Sequence, residues 1–145
     1  MTALRHLAAI ALTIILAAPT SAHDAPTGDL SDLPDASLLP ADVVQVSGVV
    51  PGMGEHWANP ADLPLGPIYG VSEGKIIFLE FMIDRDSLAK GQSYLELASK
   101  AGIALPPIDH TDIGWEPNGH EGFEVPHYDI HMYFVTHAEH EAIKP

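Results

Sequence analysis

The chain has 145 residues, with 20 acidic side chains against 6 basic ones, a formal net charge of −14 and no cysteine. That length suits one domain. The charge argues against nucleic acid and anionic membrane surfaces as partners, and the missing thiols exclude disulfides, thiolate metal sites and cysteine nucleophiles.

Residues 1–22 read as a secretion signal. Arg5 supplies the positive start, Leu7 to Ala18 an apolar core too short to span a bilayer, and Thr20-Ser21-Ala22 the small residues of a cleavage site. The expected address is secreted or periplasmic, in bacterial style, with no membrane insertion after cleavage. Cleavage removes Arg5 and no acid, leaving 5 basic against 20 acidic residues, a net −15. It would also expose His23 as an N-terminal residue, whose α-amine and ring nitrogen together can bind copper. A copper carrier is therefore one reading, and the start of a plain tail is the other. Residues 23–42, rich in Asp, Pro, Ser and Gly, read as a flexible arm.

A β-rich domain is expected over residues 43–137. Residues 43–50 alternate as a strand. The run Gly52-Met53-Gly54-Glu55-His56-Trp57 follows as a shaped loop, where His56 reads either as a ligand or as a turn residue bonded to backbone. Residues 67–71 and 76–83 read as a hairpin around Ser72-Glu73-Gly74-Lys75. Glu80 stands inside its apolar second strand, on the face of Ile76, Phe78 and Met82. An unpartnered carboxylate there is costly, so a metal, a histidine or a backbone donor is expected beside it. Residues 84–101 read as one short helix ended by Gly102 or, because Gly91 weakens its middle, as a turn followed by a shorter helix.

Residues 108–115 alternate again, placing His110 and Asp112 on one face. The Asn118-Gly119 turn, carrying His120, leads into residues 125–135, so these two strands should pair antiparallel. In the second of them His127, Asp129, His131 and Tyr133 alternate with Tyr128, Ile130, Met132 and Phe134. The polar set is either a solvated face or a site. In an extended strand His127 and His131 have Cα atoms about 13 Å apart, so they share an ion only across a bend or bulge; otherwise one of them ligates with help from elsewhere in the chain. His137 and His140 fall in the C-terminal stretch, where they could chelate weakly at i, i+3 on a helix turn, and where exposure is the simpler reading. Residues 138–145 form the tail.

The runs at 52–57, Gly119-His120-Glu121-Gly122 and Pro126-His127-Tyr128-Asp129-Ile130-His131 resemble a family of small secreted bacterial proteins of unknown function, represented in structure by a ring-forming Thermus protein under sigma-factor control. The resemblance implies a compact β-rich domain, homo-oligomerisation and a shared polar site. It implies no activity.

The expected fold is mainly β, of α+β type: a single compact domain with an antiparallel sheet or small barrel and one short helix. The expected metal ligands are His56, Glu80, His127 and His131, with His120, Asp129, His110 and Tyr133 as supporting or alternative ligands. Imidazoles with one carboxylate suit Zn, Fe, Mn, Ni or Cu(II). An open coordination position would allow activation of water or oxygen, but no substrate or reaction is marked. A non-catalytic exported stress or binding protein, holding a metal-free histidine hydrogen-bond network, is the competing reading.

Overall fold

The structure, a computed structural model, describes residues 30–145. The expected signal segment, His23 and the first part of the expected arm lie outside the described residues.

Six strands form one antiparallel sheet: β1 (Val44–Gln45), β2 (Glu55–Ala58), β3 (Ile68–Ser72), β4 (Lys75–Asp84), β5 (His110–Glu116) and β6 (His127–Tyr133). Their order is β1-β2-β3-β4-β6-β5, so the sheet is open rather than a barrel. The hairpin expected over residues 67–83 is β3–β4, which turns at Glu73-Gly74 with both residues at positive φ. The expected antiparallel pair across Asn118-Gly119 is β5–β6. Every residue of β4 from Ile76 to Ile83 is buried, because structure covers both faces of the sheet there.

Three expectations need correction. The strand over 43–50 shrinks to Val44–Gln45, both exposed, with a separate bridge from Val50 to Gly54. Residues 84–101 form no continuous helix; the chain breaks at its weak middle, with the helix before the turn rather than after it. Asp84 caps α1 (Arg85–Ala89) by accepting from Ser87 N at 2.8 Å, Gly91 turns the chain at φ 78°, and Leu97–Ala101 forms a separate 3-10 turn. A second helix, α2 (His137–Glu141), stands where a tail with at most a helix turn was expected. Glu139 fixes its start, accepting from Thr136 N and Thr136 Oγ1 at 2.8 Å each.

The two faces of the sheet carry different chemistry. On one, Tyr69, Ile76, Leu79, Phe81 and Phe134 pack beneath Leu33, Leu39, Leu97 and Leu105. Tyr69 Oη donates to Ala101 O at 2.6 Å, tying that cover to the sheet. A register shift in the β3–β4 pairing sends Ile76 to this cluster and Ile77 to the one containing Phe78, so Ile76 does not accompany Phe78 and Glu80 as simple alternation suggests. Among the described residues, no helix is long and apolar enough to cross a membrane.

The opposite face holds the polar groups, and Gly70 makes room for them. A Cβ at Gly70 would overlap the Phe78 ring. The Phe78 ring lies over that gap and packs edge-on against both His56 and His131, with centroids 5.6 and 5.0 Å away. Gly70→Ala is therefore expected to destabilise the fold by about 2 kcal/mol or more, the cost of overpacking a filled core. Urea unfolding of the variant checks this, and an unchanged midpoint would contradict it.

Candidate metal centre

Cross-strand register assembles the polar face. One row runs His56, Gly70, Phe78, Tyr133, His110 across β2, β3, β4, β6 and β5. The next runs Ala58, Ile68, Glu80, His131, Asp112. Beyond them Met82 faces Asp129, and Asp84 faces His127. On β6 the polar set His127, Asp129, His131, Tyr133 is the buried one, while Tyr128, Ile130 and Met132 are half-buried. The cover comes from distant segments. α2 lays His140 on the Tyr133 ring at 4.2 Å, and His140 Nδ1 donates to Gly52 O at 3.1 Å, holding the glycine loop over the sheet.

Among the described residues, three groups of side chains bring metal-ligating atoms within 4.8 Å of one another: His56–Glu80–His131, His120–His127–Asp129, and His110–Asp112–His137–His140. The first is the best enclosed. Glu80 and His131 are 3% and 5% exposed. Glu80 Oε2 lies 3.7 Å from His56 Nε2, and Glu80 Oε1 lies 3.5 Å from His131 Nε2. These separations are long for hydrogen bonds. They match the spacing of about 3.4 Å between donors that sit tetrahedrally at about 2.1 Å around one ion. His131 Nε2 is buried with no hydrogen-bond partner. His56 is oriented from behind. Ser47 Oγ gives its proton to Gly48 O at 2.8 Å and so accepts from His56 Nδ1 at 3.0 Å, which turns the Nε2 lone pair toward Glu80. Two imidazoles and a carboxylate, oriented in this way, fit a divalent transition metal.

No protein-family model matches the chain, and no curated protein matches it. A solved structure does. The chain is similar to the hypothetical protein TTHB210 from Thermus thermophilus, at 26% identity and a TM-score of 0.56, over 63% of this chain and 80% of that one. The likeness agrees with a place among uncharacterised bacterial proteins, and brings no activity with it.

Burial sets the electrostatics of the first group. It pushes the Glu80 carboxyl up to about 8, with the nearby Asp129 charge adding to the effect. It pulls His56 and His131 down to about 4, helped for His56 by His120 and for His131 by His56. Without an ion, the trio at neutral pH is therefore an acid between two neutral rings and carries no net charge. Burial also raises Asp129, against the pull of His127 and His120, and lifts the Tyr133 hydroxyl to about 12.

His56, Glu80 and His131 come together as expected, but His127 does not join them. β6 pairs with both neighbours without a break from His127 to Tyr133, so the strand neither bends nor bulges, and His127 sits in the second group with His120 and Asp129. His110 belongs to the third group, and Tyr133 stacks against the rings of both His110 and His140, which also stack on each other, without being among the grouped ligands. His140, read from sequence as an exposed tail residue, is buried. The signal that could have placed it is the Thr136-x-x-Glu139 spacing, which starts a helix rather than a tail. In the third group His140 Nε2 meets His137 Nδ1 at 3.0 Å, while His110 Nε2 is buried without a hydrogen-bond partner.

Proposed function

We propose that this chain is an exported β-rich protein that binds one divalent transition-metal ion through His56 Nε2, a Glu80 oxygen and His131 Nε2. The observation that carries the reading is the buried His131 Nε2, which has no hydrogen-bond partner and faces a buried carboxylate 3.5 Å away. A metal-free hydrogen-bond network would draw these groups closer, and it would not leave that nitrogen unused. Three protein ligands leave at least one position for water or a small ligand, so the site is suited to exchangeable binding. No reaction is assigned.

Metal content by mass spectrometry tests the reading, on protein purified from the native host without an affinity tag. The expected result is transition metal that survives dialysis in the wild type and falls by one equivalent per chain in both His56→Ala and His131→Ala. Unchanged content in both folded variants would rule out this site.

A further inference from the structure

The His120–His127–Asp129 group shows a second ligand arrangement, separate from the trio above. His127 is completely buried on β6. Its Nδ1 lies 2.6 Å from Val125 O. A carbonyl only accepts, so Nδ1 carries the ring proton and Nε2 presents its lone pair. The same holds for His120 on the β5–β6 loop, whose Nδ1 lies 3.1 Å from Glu121 O. Both lone pairs point to one place. The two Nε2 atoms are 3.2 Å apart, Asp129 Oδ1 is 2.9 Å from His127 Nε2, and Asp129 Oδ2 is 3.7 Å from His120 Nε2. Asp129 is 7% exposed, and its Oδ1 receives no hydrogen bond.

With both rings protonated on Nδ1 alone and Asp129 ionised, three acceptors converge with no donor among them. Lone pairs at this range repel unless a cation lies between them. One extra proton on an imidazole can bridge two of the three atoms. A metal ion serves all three, and their separations bracket the spacing of about 3.4 Å that tetrahedral zinc requires. Backbone carbonyls that orient each ring from behind are the usual support of a metal-bound histidine.

The loop that brings His120 in is held by packing. His120 and Phe123 exchange backbone hydrogen bonds at 3.2 and 3.0 Å, and the Phe123 ring lies 4.5 Å from that of His127. We propose that His120, His127 and Asp129 form a second site for a divalent transition-metal ion of zinc-like preference. His120 forms its solvent side: that side chain is 43% exposed, against 15% for His56 in the first group. The second ion should therefore leave first when a chelator is added.

Zinc titration of the full chain, as the host processes it and without a tag, tests this by native mass spectrometry. Wild type is expected to take two equivalents. His120→Ala changes only a loop side chain, and it should take one while keeping a wild-type circular dichroism spectrum. Asp129→Asn should do the same, and His131→Ala should lose the other equivalent. If His120→Ala keeps every equivalent of the wild type, the group holds a proton only and the proposal fails. If His120→Ala loses an equivalent and His131→Ala does not, the second site stands and the first falls. Cobalt substitution supplies an independent readout: the His120→Ala variant should lose about half of the visible d–d absorbance, and retention of all of it would also overturn the proposal.

Discussion

Glu80→Gln is expected to abolish the gain in stability that metal confers, while leaving the metal-free fold close to wild type. The Glu80 carboxyl is buried and held protonated at neutral pH, with its value raised to about 8. Glutamine matches it in size and charge, and its amide nitrogen can donate to one of the two Nε2 atoms, as the protonated carboxyl can. What it lacks is the anionic oxygen. Removing a supporting residue behind a ligand typically costs 10- to 100-fold in affinity, so loss of a ligand should cost about 100-fold or more. At a free metal concentration of about 100 times the wild-type Kd, the wild type gains about 2.7 kcal/mol, and a variant binding about 100-fold more weakly gains about 0.4 kcal/mol. Thermal unfolding with and without zinc separates these values, if measured on the His120→Ala background so that only the first group responds. Equal zinc-induced shifts in both proteins would show that Glu80 is not a ligand. This comparison is cleaner than His131→Ala, which removes a ligand but also opens a hole beside Phe78.

Local signals reached most of the sheet. Alternation and turn residues placed β3–β4 and β5–β6, because β3–β4 closes in a tight turn and the longer 117–126 connection of β5–β6 carries the Asn118-Gly119 signal, chemistry that lies in the sequence itself. The buried carboxylate at Glu80 was legible for the same reason, since a charge inside an apolar run needs a partner. What stayed hidden depends on distant segments. Period-2 alternation divides β6 into two sets but does not say which set is covered. Here the covered set is the polar one, because α2 and the glycine loop lie on it. The irregular register between β3 and β4 moved Ile76 to the other cluster, and a single extra residue in one strand leaves no mark in composition. The separation of His127 from His131 follows from strand rise alone, and the unbroken pairing of β6 removes the bulge that would have joined them. The division into two groups then depends on the 119–122 loop, which carries His120 to His127 rather than to His131.

Metal uptake by the first group should release about one proton per ion at pH 7 and none well above pH 8, and this pattern separates a buried site from a surface cluster. In the folded, metal-free protein His56 and His131 are held near 4 and are already neutral at pH 7, so they have no proton to lose. Glu80 is raised to about 8, keeps its proton at pH 7, and must give it up to bind an ion. An exposed histidine cluster behaves differently, releasing protons only near and below its ordinary value of about 6.5. The same shifts shape the stability of the metal-free fold. For the two histidines the folded value lies below the unfolded one, so their contribution is present above about pH 6.5 and is lost as pH falls toward about 4. For Glu80 the folded value lies above the unfolded one, so its contribution is present below about pH 4.5 and is lost as pH rises through about 8. Between pH 6.5 and 8 only Glu80 acts among the three, and metal-free stability should fall by at most about 1.4 kcal/mol per pH unit. Bound metal should flatten that decline, because the ion holds the carboxylate in its ionised form. Calorimetry of zinc binding to the His120→Ala variant, in two buffers of different ionisation enthalpy at pH 7 and again at pH 9, counts the protons directly. No release at pH 7 would mean that Glu80 is ionised before the metal arrives, and the neutral, buried trio would then be the wrong description of the site.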